Sequence, residues 1–588
     1  MGSGSRLSPA GYGRLMLLVA GLGGLLYGID VGIIGGALPY LEATSHLSQG
    51  QISIIVAAVL LGSVFSTLFA GLLADWMGRK PLMLLSGIAF SISVPIIALS
   101  QSFASLFLGR LLQGMSGGLV GVVVPLYLAE CLSAKVRGKG TGIFQWLLTL
   151  GIFVAALIGI YTSYHVAEIA RTASAAALFA AKNSAWRSIF WMSLPPGVFF
   201  VVAGYFISES PRWLFLRGRI EAARKALERS RTPEQAAIEM DEMEQVAAQG
   251  KHGVVYKEPL LSRRYVIPFL LACVILVCNT ATGINSIIGY NVDILIQSGL
   301  NDVLAHWGYV LFTFMNFLMT VVGLQLVDKK GRKFLLVTGT SGVIVSLVAV
   351  GTLFLRTEKA RYDARDAVQT LVTNGDSLSV KFDTSALQRV GAPNVNGPQS
   401  LAIIYSYGDF TSSTKPVLLG DAEPAAIDRA GTIPSSKVAA FFQNPFANLD
   451  AARTAPLKIE HAYITPVPSS TNGWMVAFCL YAFVSFFAMG PGVCVWLALS
   501  ELMPTRIRSN GMSVALVLNQ IVSTTLAAIF LPVVGKYGYS TMFFLFAGFT
   551  VVYLVTAAFF LPETKGKTLE EIERIFDPSD RREAPLPS

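Results

Sequence analysis

The chain has 588 residues, of which 53% are hydrophobic and only 14% charged, with a mean hydropathy of +0.58. A water-soluble chain would carry nearer a quarter charged residues, so the soluble globular classes are excluded. The net charge of +9 does not point to nucleic acid, because Lys and Arg gather in short segments between apolar runs: "DWMGRK", "SAKVRGKG", "DKKGRK" and "TRIRSN".

Windows of about 19 residues predict twelve membrane-spanning helices, roughly 12–40, 51–74, 81–99, 103–131, 140–163, 186–207, 263–297, 304–327, 333–355, 474–500, 511–534 and 540–561. The first begins near Arg14 and is long enough to stay as a helix rather than leave as a cleaved leader. Within it, "LLYGIDVGIIGGAL" (25–38) places Asp30 among apolar and glycine residues. An ionisable side chain there is by default a functional residue in need of a partner. The partner expected is Arg110, in "SLFLGRLLQG" of the fourth helix.

The second helix is followed by Asp75-Trp-Met-Gly-Arg79-Lys80, the fourth by Glu130 and, seven residues on, Arg137. An Ala- and Ser-rich stretch, about 162–185, reads as an external insertion. The first half closes with "SESPRWL", which holds Glu209. In the polar segment 209–262, "RIEAARKALERS" and "EQAAIEMDEMEQVAAQ" have helical spacing with a charged face, so they predict amphipathic cytoplasmic helices joining the halves.

The series then repeats. Asp328-Lys-Lys-Gly-Arg332-Lys333 follows the eighth helix, Glu501 precedes Arg508 by seven, and "PETKG" closes the second half. Motifs that recur six spans apart are the mark of a parallel repeat of two six-helix halves. Asp75 and Glu130 are 55 residues apart but Asp328 and Glu501 are 173 apart, and the excess of 118 matches the polar, proline-rich stretch 356–473. That stretch has eleven acidic and eleven basic residues, and "LSVKF" and "LAIIYSYGDF" look strand-like, so a small ordered subdomain and an irregular loop are both open. The even number of spans and the basic loops place both ends in the cytoplasm and 356–473 outside. The division expected is therefore 1–208, an amino-terminal bundle; 209–262, a linker; 263–355 with 474–561, a carboxy-terminal bundle; 356–473, the insertion; and 562–588, a cytoplasmic tail.

Taken in order, "DWMGRK", "GRLLQGMSGG", "VPLYLAE…RG", "ESPRWL", "TGIN", "DKKGRK", "GPGVCVW", "SELMPTRIR" and "PETKG" resemble the sugar porter family of the major facilitator superfamily. The pattern is closest to bacterial proton-coupled symporters such as the xylose–proton symporter. The resemblance implies an all-α membrane fold of two six-helix bundles that rock around a central site. It also implies a cytoplasmic gating network of Asp75, Arg79, Glu130, Arg137, Glu209, Asp328, Arg332, Glu501 and Arg508. Ion pairs at moving helix ends have state-dependent worth, as a gate requires.

In proton-coupled members an aspartate at the place of Asp30 pairs with the arginine at the place of Arg110; facilitative glucose transporters have asparagine there. The resemblance thus implies proton symport. Chemically, burial raises a carboxylate's pKa and a guanidinium lowers it, so a cycle that brings the two together and apart can load and release a proton. Hydroxyl-rich substrates need amides that both donate and accept, and aromatic walls for ring faces. The family pattern carries substrate contacts onto Tyr27, Gln145, Asn279, Thr280, Asn285, Asn316, Trp496 and Asn519, with Tyr290 assigned to an external gate. The chain departs from the family at 279–285, where "NTATGIN" lacks two glutamines usual in common sugar porters. This leaves another hexose, a pentose, a polyol or an inositol open beside glucose.

The alternatives are a uniporter of the same fold and a sugar sensor that binds without transport. Sugar, protons and the bilayer are the partners implied, with room for an envelope partner at 356–473. No cofactor and no metal are expected. His46, His165, His252, His306 and His461 are scattered, mostly in loops, and the five cysteines fall in or at the spans, so no enzyme site emerges. Few cysteines and the absence of N-x-[ST] sequons lean towards a bacterial inner membrane.

Overall fold

The computed structural model describes residues 8–45, 47–132, 134–251, 262–372, 376–390, 397–421, 424–430, 432–434, 437, 440, 444, 447–503, 507–564, 571 and 575–576. Of residues 10, 134–142, 246–251, 264, 328, 496–500 and 508–510 it describes the backbone alone. The long apolar runs become helices because only a helix satisfies every backbone N–H and C=O within its own segment. In chain order, α1 is Pro9–Thr44, α2 Gln49–Met77, α3 Arg79–Ala98, α4 Phe103–Cys131, α5 Ala134–Ala170, α6 Ala175–Trp191 and α7 Leu194–Tyr205. After the short helices α8 (Pro211–Leu216), α9 (Ile220–Glu228) and α10 (Pro233–Lys251) come α11 Arg263–Ala281, α12 Ile284–Gly289, α13 Asn291–Gln297, α14 Asp302–Lys330 and α15 Arg332–Glu358. The last four are α16 Ser470–Met489, α17 Pro491–Leu502, α18 Arg508–Tyr537 and α19 Tyr539–Val555. Among the described residues, twelve helical segments are long and apolar enough to cross a membrane.

Two sequence expectations need correction. The stretch 162–185 is no separate insertion: α5 continues to Ala170 and α6 starts at Ala175, capped by Ser174. Alanine is the best helix former, so an Ala-rich segment prolongs both helices. The span expected as 263–297 is broken, because Gly283 turns left-handed (φ +83°) and separates α11 from α12. A second break, at Gly490 before Pro491, divides the span 474–500 into α16 and α17, where the glycines and proline of 490–492 predict a flexible break.

Between α15 and α16 stands a sheet. Strands β1 (Tyr362–Asp363), β3 (Gln399–Tyr407), β4 (Phe410–Ser413), β5 (Val417–Leu418) and β7 (Leu457–Pro466) form one antiparallel layer in the order β1-β7-β3-β4, with β5 on β3. β2 (Leu378–Val380) pairs with β6 (Ala425–Ile427). Leu401, Ile403, Tyr405, Ile459 and Phe382 bury a small apolar core there, which makes an irregular loop unnecessary. Of the linker helices, α9 and α10 pack Ala223, Leu227 and Met240 onto Trp213 and Leu214. Arg231 ties them down, bonding Glu239 at 2.6 Å and the Cys131 carbonyl at 3.1 Å.

The apolar core is distributed unevenly. At the end that carries the sheet, one cluster runs across both bundles, joining Ile34 and Ala37 of α1 and Ile55 of α2 to Ile287, Ile288, Leu295, Phe530 and Leu531 of the other half. At the opposite, basic end there are two clusters, one around Tyr127, Leu82 and Phe200 and another around Leu335, Cys494 and Tyr553. The bundles are fused at the sheet end and keep separate cores at the basic end.

Candidate functional site

The basic end is built from two copies of one clip. Gly78 (φ +100°) and Gly331 (φ +91°) turn the chain from α2 into α3 and from α14 into α15, in a backbone region that favours glycine. Each turn delivers an arginine to the first position of the next helix. Arg79, 5% exposed, holds Glu130 Oε1 at 2.7 Å, donates to the Ala74 carbonyl at 2.9 Å and reaches Asp75 at 3.1 Å. Arg332 holds Glu501 Oε1 at 3.0 Å. Glu209 caps α3, accepting from the backbone N–H of Arg79 (3.0 Å) and Lys80 (3.2 Å), and from Ser210 at 2.7 Å. Glu563 caps α15 in the same manner, accepting from Arg332 (3.1 Å) and Lys333 (3.2 Å). The Ser210 hydroxyl then donates to Glu130, and the Thr564 hydroxyl to Glu501 at 2.6 Å. These caps satisfy orphan helix donors and place negative charge at a positive helix end. Burial pushes the Glu209 carboxyl above the usual range, opposed by the N–H groups of Ser210, Lys80 and Arg79 and by the Arg79 charge.

The structure thus assembles Asp75, Arg79, Glu130 and Glu209 in one bundle, and Arg332 and Glu501 in the other. Asp75 sits at the rim with its side chain 76% exposed. The side chains of Arg137, Asp328 and Arg508 lie outside the described residues. Sequence reasoning missed Glu563, Ser210 and Thr564. Their signal was present, since "ES" and "ET" occupy matching places in the two closing tags.

Midway along the bundles Asp30 and Arg110 are each 1% exposed, with Arg110 Nη1 3.9 Å from Asp30 Oδ1. Neither Asp30 oxygen accepts a hydrogen bond from a described residue. Arg110 donates instead to Gln113 Oε1 at 2.6 Å and lies over the Phe190 ring at 5.6 Å. Gly117 leaves the space for this carboxylate; a Cβ there would meet Asp30 Oδ2 at 2.8 Å and the Tyr27 ring at 3.2 Å. Close charges are usually paired by short, often bidentate bonds. This pair is buried, near and unbonded.

Amides gather on the other side of the same level. Thr280 donates to Asn519, and Asn285 donates to Ser523 at 2.8 Å, which ties the helix break around Gly283 to α18. Asn279 is 8% exposed and its Oδ1 has no described partner. Tyr27 of α1 interacts with Gln520 of α18, across the two bundles. Gln145 on α5 and Asn316 on α14 each precede in sequence an aromatic residue, Trp146 and Phe317, whose rings pack at 5.5 Å and join the two helices. The side chain of Trp496 lies outside the described residues. Tyr290 is placed elsewhere, fully buried in the sheet-end seam, stacked on Phe530 at 4.4 Å and donating to the Ala527 carbonyl at 3.0 Å.

Twelve apolar helical segments among the described residues, a charged pair buried inside the amino-terminal bundle and a Tyr27–Gln520 contact across the two bundles define a membrane transporter. The chain belongs to the family described as sugar (and other) transporter, which matches residues 16–372 and 455–576. It is a sugar porter of the major facilitator superfamily and not an enzyme. It is 27% identical over 564 residues to the glucose transporter GlcP of Staphylococcus epidermidis, covering 95% of this chain and 96% of that one. To the proton myo-inositol cotransporter of Homo sapiens it is 27% identical over 573 residues, covering 96% and 82%. Among solved structures, the xylose transporter XylE from E. coli in a partially occluded inward open conformation superposes with a TM-score of 0.61 at 18% identity, covering 94% of this chain and 100% of that one. The proton:xylose symporter XylE bound to 6-bromo-6-deoxy-D-glucose gives 0.62 at 19% identity, covering 97% and 100%.

Proposed function

We propose that this chain is a proton-coupled monosaccharide or polyol symporter working by alternating access, with Asp30 and Arg110 as the proton-coupling pair. The observation that carries the reading is the loose geometry of that pair. A structural ion pair buried in a membrane needs well-made hydrogen bonds to offset its desolvation. A carboxylate 3.9 Å from its guanidinium, with neither oxygen hydrogen-bonded by a described residue, is instead poised to take a proton. Tyr27 links that site to the substrate, because it lies beside Asp30's surroundings at Gly117 and interacts with Gln520 on the substrate-facing helix.

Asn279, Thr280, Asn285, Gln145, Asn316 and Asn519 supply the amide and hydroxyl groups for a polyhydroxyl ligand, and Trp496 a wall for its ring. The shorter side chains at 279–285 leave room for a ring bearing hydroxyls on every carbon, in keeping with relatives that include a proton myo-inositol cotransporter as well as a glucose transporter. The basic end faces the cytoplasm with both termini, the inserted sheet faces outward, and the two clips hold the helix ends that move. The test is uptake of hexoses, pentoses and inositol into proteoliposomes with and without an inward proton gradient, comparing the native chain with Asp30→Asn. Gradient-driven accumulation that disappears in the variant while exchange survives is expected. Equal, gradient-indifferent equilibration in both would make the protein a facilitator.

A further inference from the structure

The sheet-end seam contains a titratable group with no part in the reading so far. His306 lies in α14 and is fully buried. Its Nδ1 is 2.9 Å from the carbonyl oxygen of Asp302 and 3.5 Å from that residue's carboxylate Oδ1. Its Nε2 is 3.2 Å from the carbonyl oxygen of Gly36, on α1 of the opposite bundle. A backbone carbonyl can only accept, and a neutral imidazole carries a single N–H. A neutral ring would therefore hold one buried nitrogen lone pair against a carbonyl oxygen, whichever tautomer it adopted. Only the doubly protonated ring satisfies both contacts.

The surroundings suit a cation. Asp302 supplies the counter-charge and is steadied by the Tyr40 hydroxyl, which donates to its Oδ2 at 2.8 Å. The Tyr40 ring stacks on the imidazole at 5.5 Å and 13°. Glycines make the approach possible: a Cβ at Gly159 would meet His306 Cδ2 at 3.3 Å, and one at Gly36 would meet the Cα of Gly159 at 3.0 Å. The titratable groups that face His306 are Asp302 on its own helix and Tyr40 on α1, while α5 presents Gly159. Glu42 on α1 interacts instead with Asp293 and Lys415, and Asp293 takes a hydrogen bond from Tyr539 at 2.8 Å.

We propose that His306 is a protonation-dependent latch of the transport cycle, forming the α14-to-α1 clasp when its ring takes a proton and returning that proton to the sheet-end water when the seam opens. The proton comes from water at the sheet end while the seam is open, and closure traps it between the Gly36 and Asp302 oxygens. The inference rests on alternating access but not on Asp30. A closed state that holds a proton the open state lacks is favoured by falling pH, by up to about tenfold per pH unit while the open-state ring is neutral.

The experiment uses the full chain with its five native cysteines replaced and Val56→Cys introduced in the seam, where Val56 is buried in the apolar core shared by the two bundles. An impermeant maleimide is applied from the sheet end, in an Asp30→Asn background that removes the other proton site. His306→Gln keeps a donor and an acceptor but cannot titrate. As pH falls from about 7.5 to 5.5, a range bracketing imidazole titration, the labelling rate of the variant relative to the native ring should rise several-fold. A ratio that stays constant with pH overturns the proposal. The native chain labelled with nitrogen-15 histidine gives a reading that needs no substitution. One ring with both nitrogens protonated at neutral pH in the closed-seam state is expected, and neutral tautomers at all five histidines would overturn the assignment.

Discussion

The two ends of the molecule solve the same packing problem with different chemistry. At the sheet end the bundles share one apolar core, crossed by hydrogen bonds to backbone carbonyls (Tyr309 to Gly32 at 2.8 Å, His306 to Gly36) and to side chains (Tyr40 to the Asp302 carboxylate at 2.8 Å, Tyr290 to the Ser53 hydroxyl at 3.3 Å). At the basic end each bundle keeps its own core and its own carboxylate–arginine clip. A seam of glycines and flat rings can part and re-form because its carbonyls can turn to water. A charged clip within one bundle fixes helix ends so that the bundle moves as a body. Under the proposed alternating access, the sheet end is the closed gate of this structure and the basic end the frame expected to open.

The strongest way to break this comparison is to obstruct the seam alone. At Gly35 a Cβ would lie 2.8 Å from both the Ile288 carbonyl and a Tyr309 ring carbon. Gly35→Val should therefore cost the closed state about 1–3 kcal/mol of overpacking, lowering sugar flux at least about tenfold while leaving the folded yield near normal. Normal flux would mean that the seam does not close during transport.

Next come the clips. Glu209→Ala and Glu563→Ala each strand several helix N–H donors, and each should lower unfolding stability by about 1–3 kcal/mol in thermal scans. Because the clips stand in separate bundles, the double variant should equal the sum within about 0.5 kcal/mol. Marked non-additivity would show the two ends of the frame to be coupled. Burial holds the Glu209 carboxyl above its ordinary range. Its stabilising contribution is full below the unfolded value and shrinks as pH rises through the folded one, a trend that Glu209→Gln should flatten.

A smaller effect sharpens the seam. Tyr290→Phe loses the donor to the Ala527 carbonyl and to Ser53 at 3.3 Å, worth about 1 kcal/mol, and should increase labelling of a seam cysteine. The smallest lies in the inserted sheet. Burial works against it, but the Ala462 N–H and the His461 ring hold the Asp363 carboxyl below the usual range. That contribution is present above the unfolded value, near pH 4, and fades as pH falls through the folded one. With side chains 34% and 40% exposed, Asp363→Asn should cost only about 0.5 kcal/mol, read from the local unfolding of β1 by hydrogen exchange.

The spans and the internal repeat were legible because length, apolarity and charge spacing are properties of the chain itself. Arg79 with Glu130 and Arg332 with Glu501 were legible for the same reason, since each half presents them at matching spacing. Glu563 escaped because "PET" reads as a helix stop until its carboxylate is seen beneath Gly331. His306 escaped because its partner Gly36 is 270 residues away and a glycine carbonyl leaves no mark in sequence. The break at Gly283 lies in the polar stretch "NTATGIN" (279–285), whose amides and hydroxyls read as substrate contacts inside one span rather than as a helix end. The sheet was half visible: "LAIIYSY" has strand character, but its pairing with β7 needs contacts some sixty residues apart (Ser400 with Thr465).

The central claim is that the two ends open and close in opposition. It is tested most directly by paired distance measurements between spin labels, at Thr172 and Ser470 for the sheet end and at Glu221 and Lys330 for the basic end, with and without sugar across a range of pH. The account predicts two populations whose ratio shifts with ligand, the sheet-end distance lengthening in the one where the basic-end distance shortens. Distances that change together, or at one end only, would contradict it.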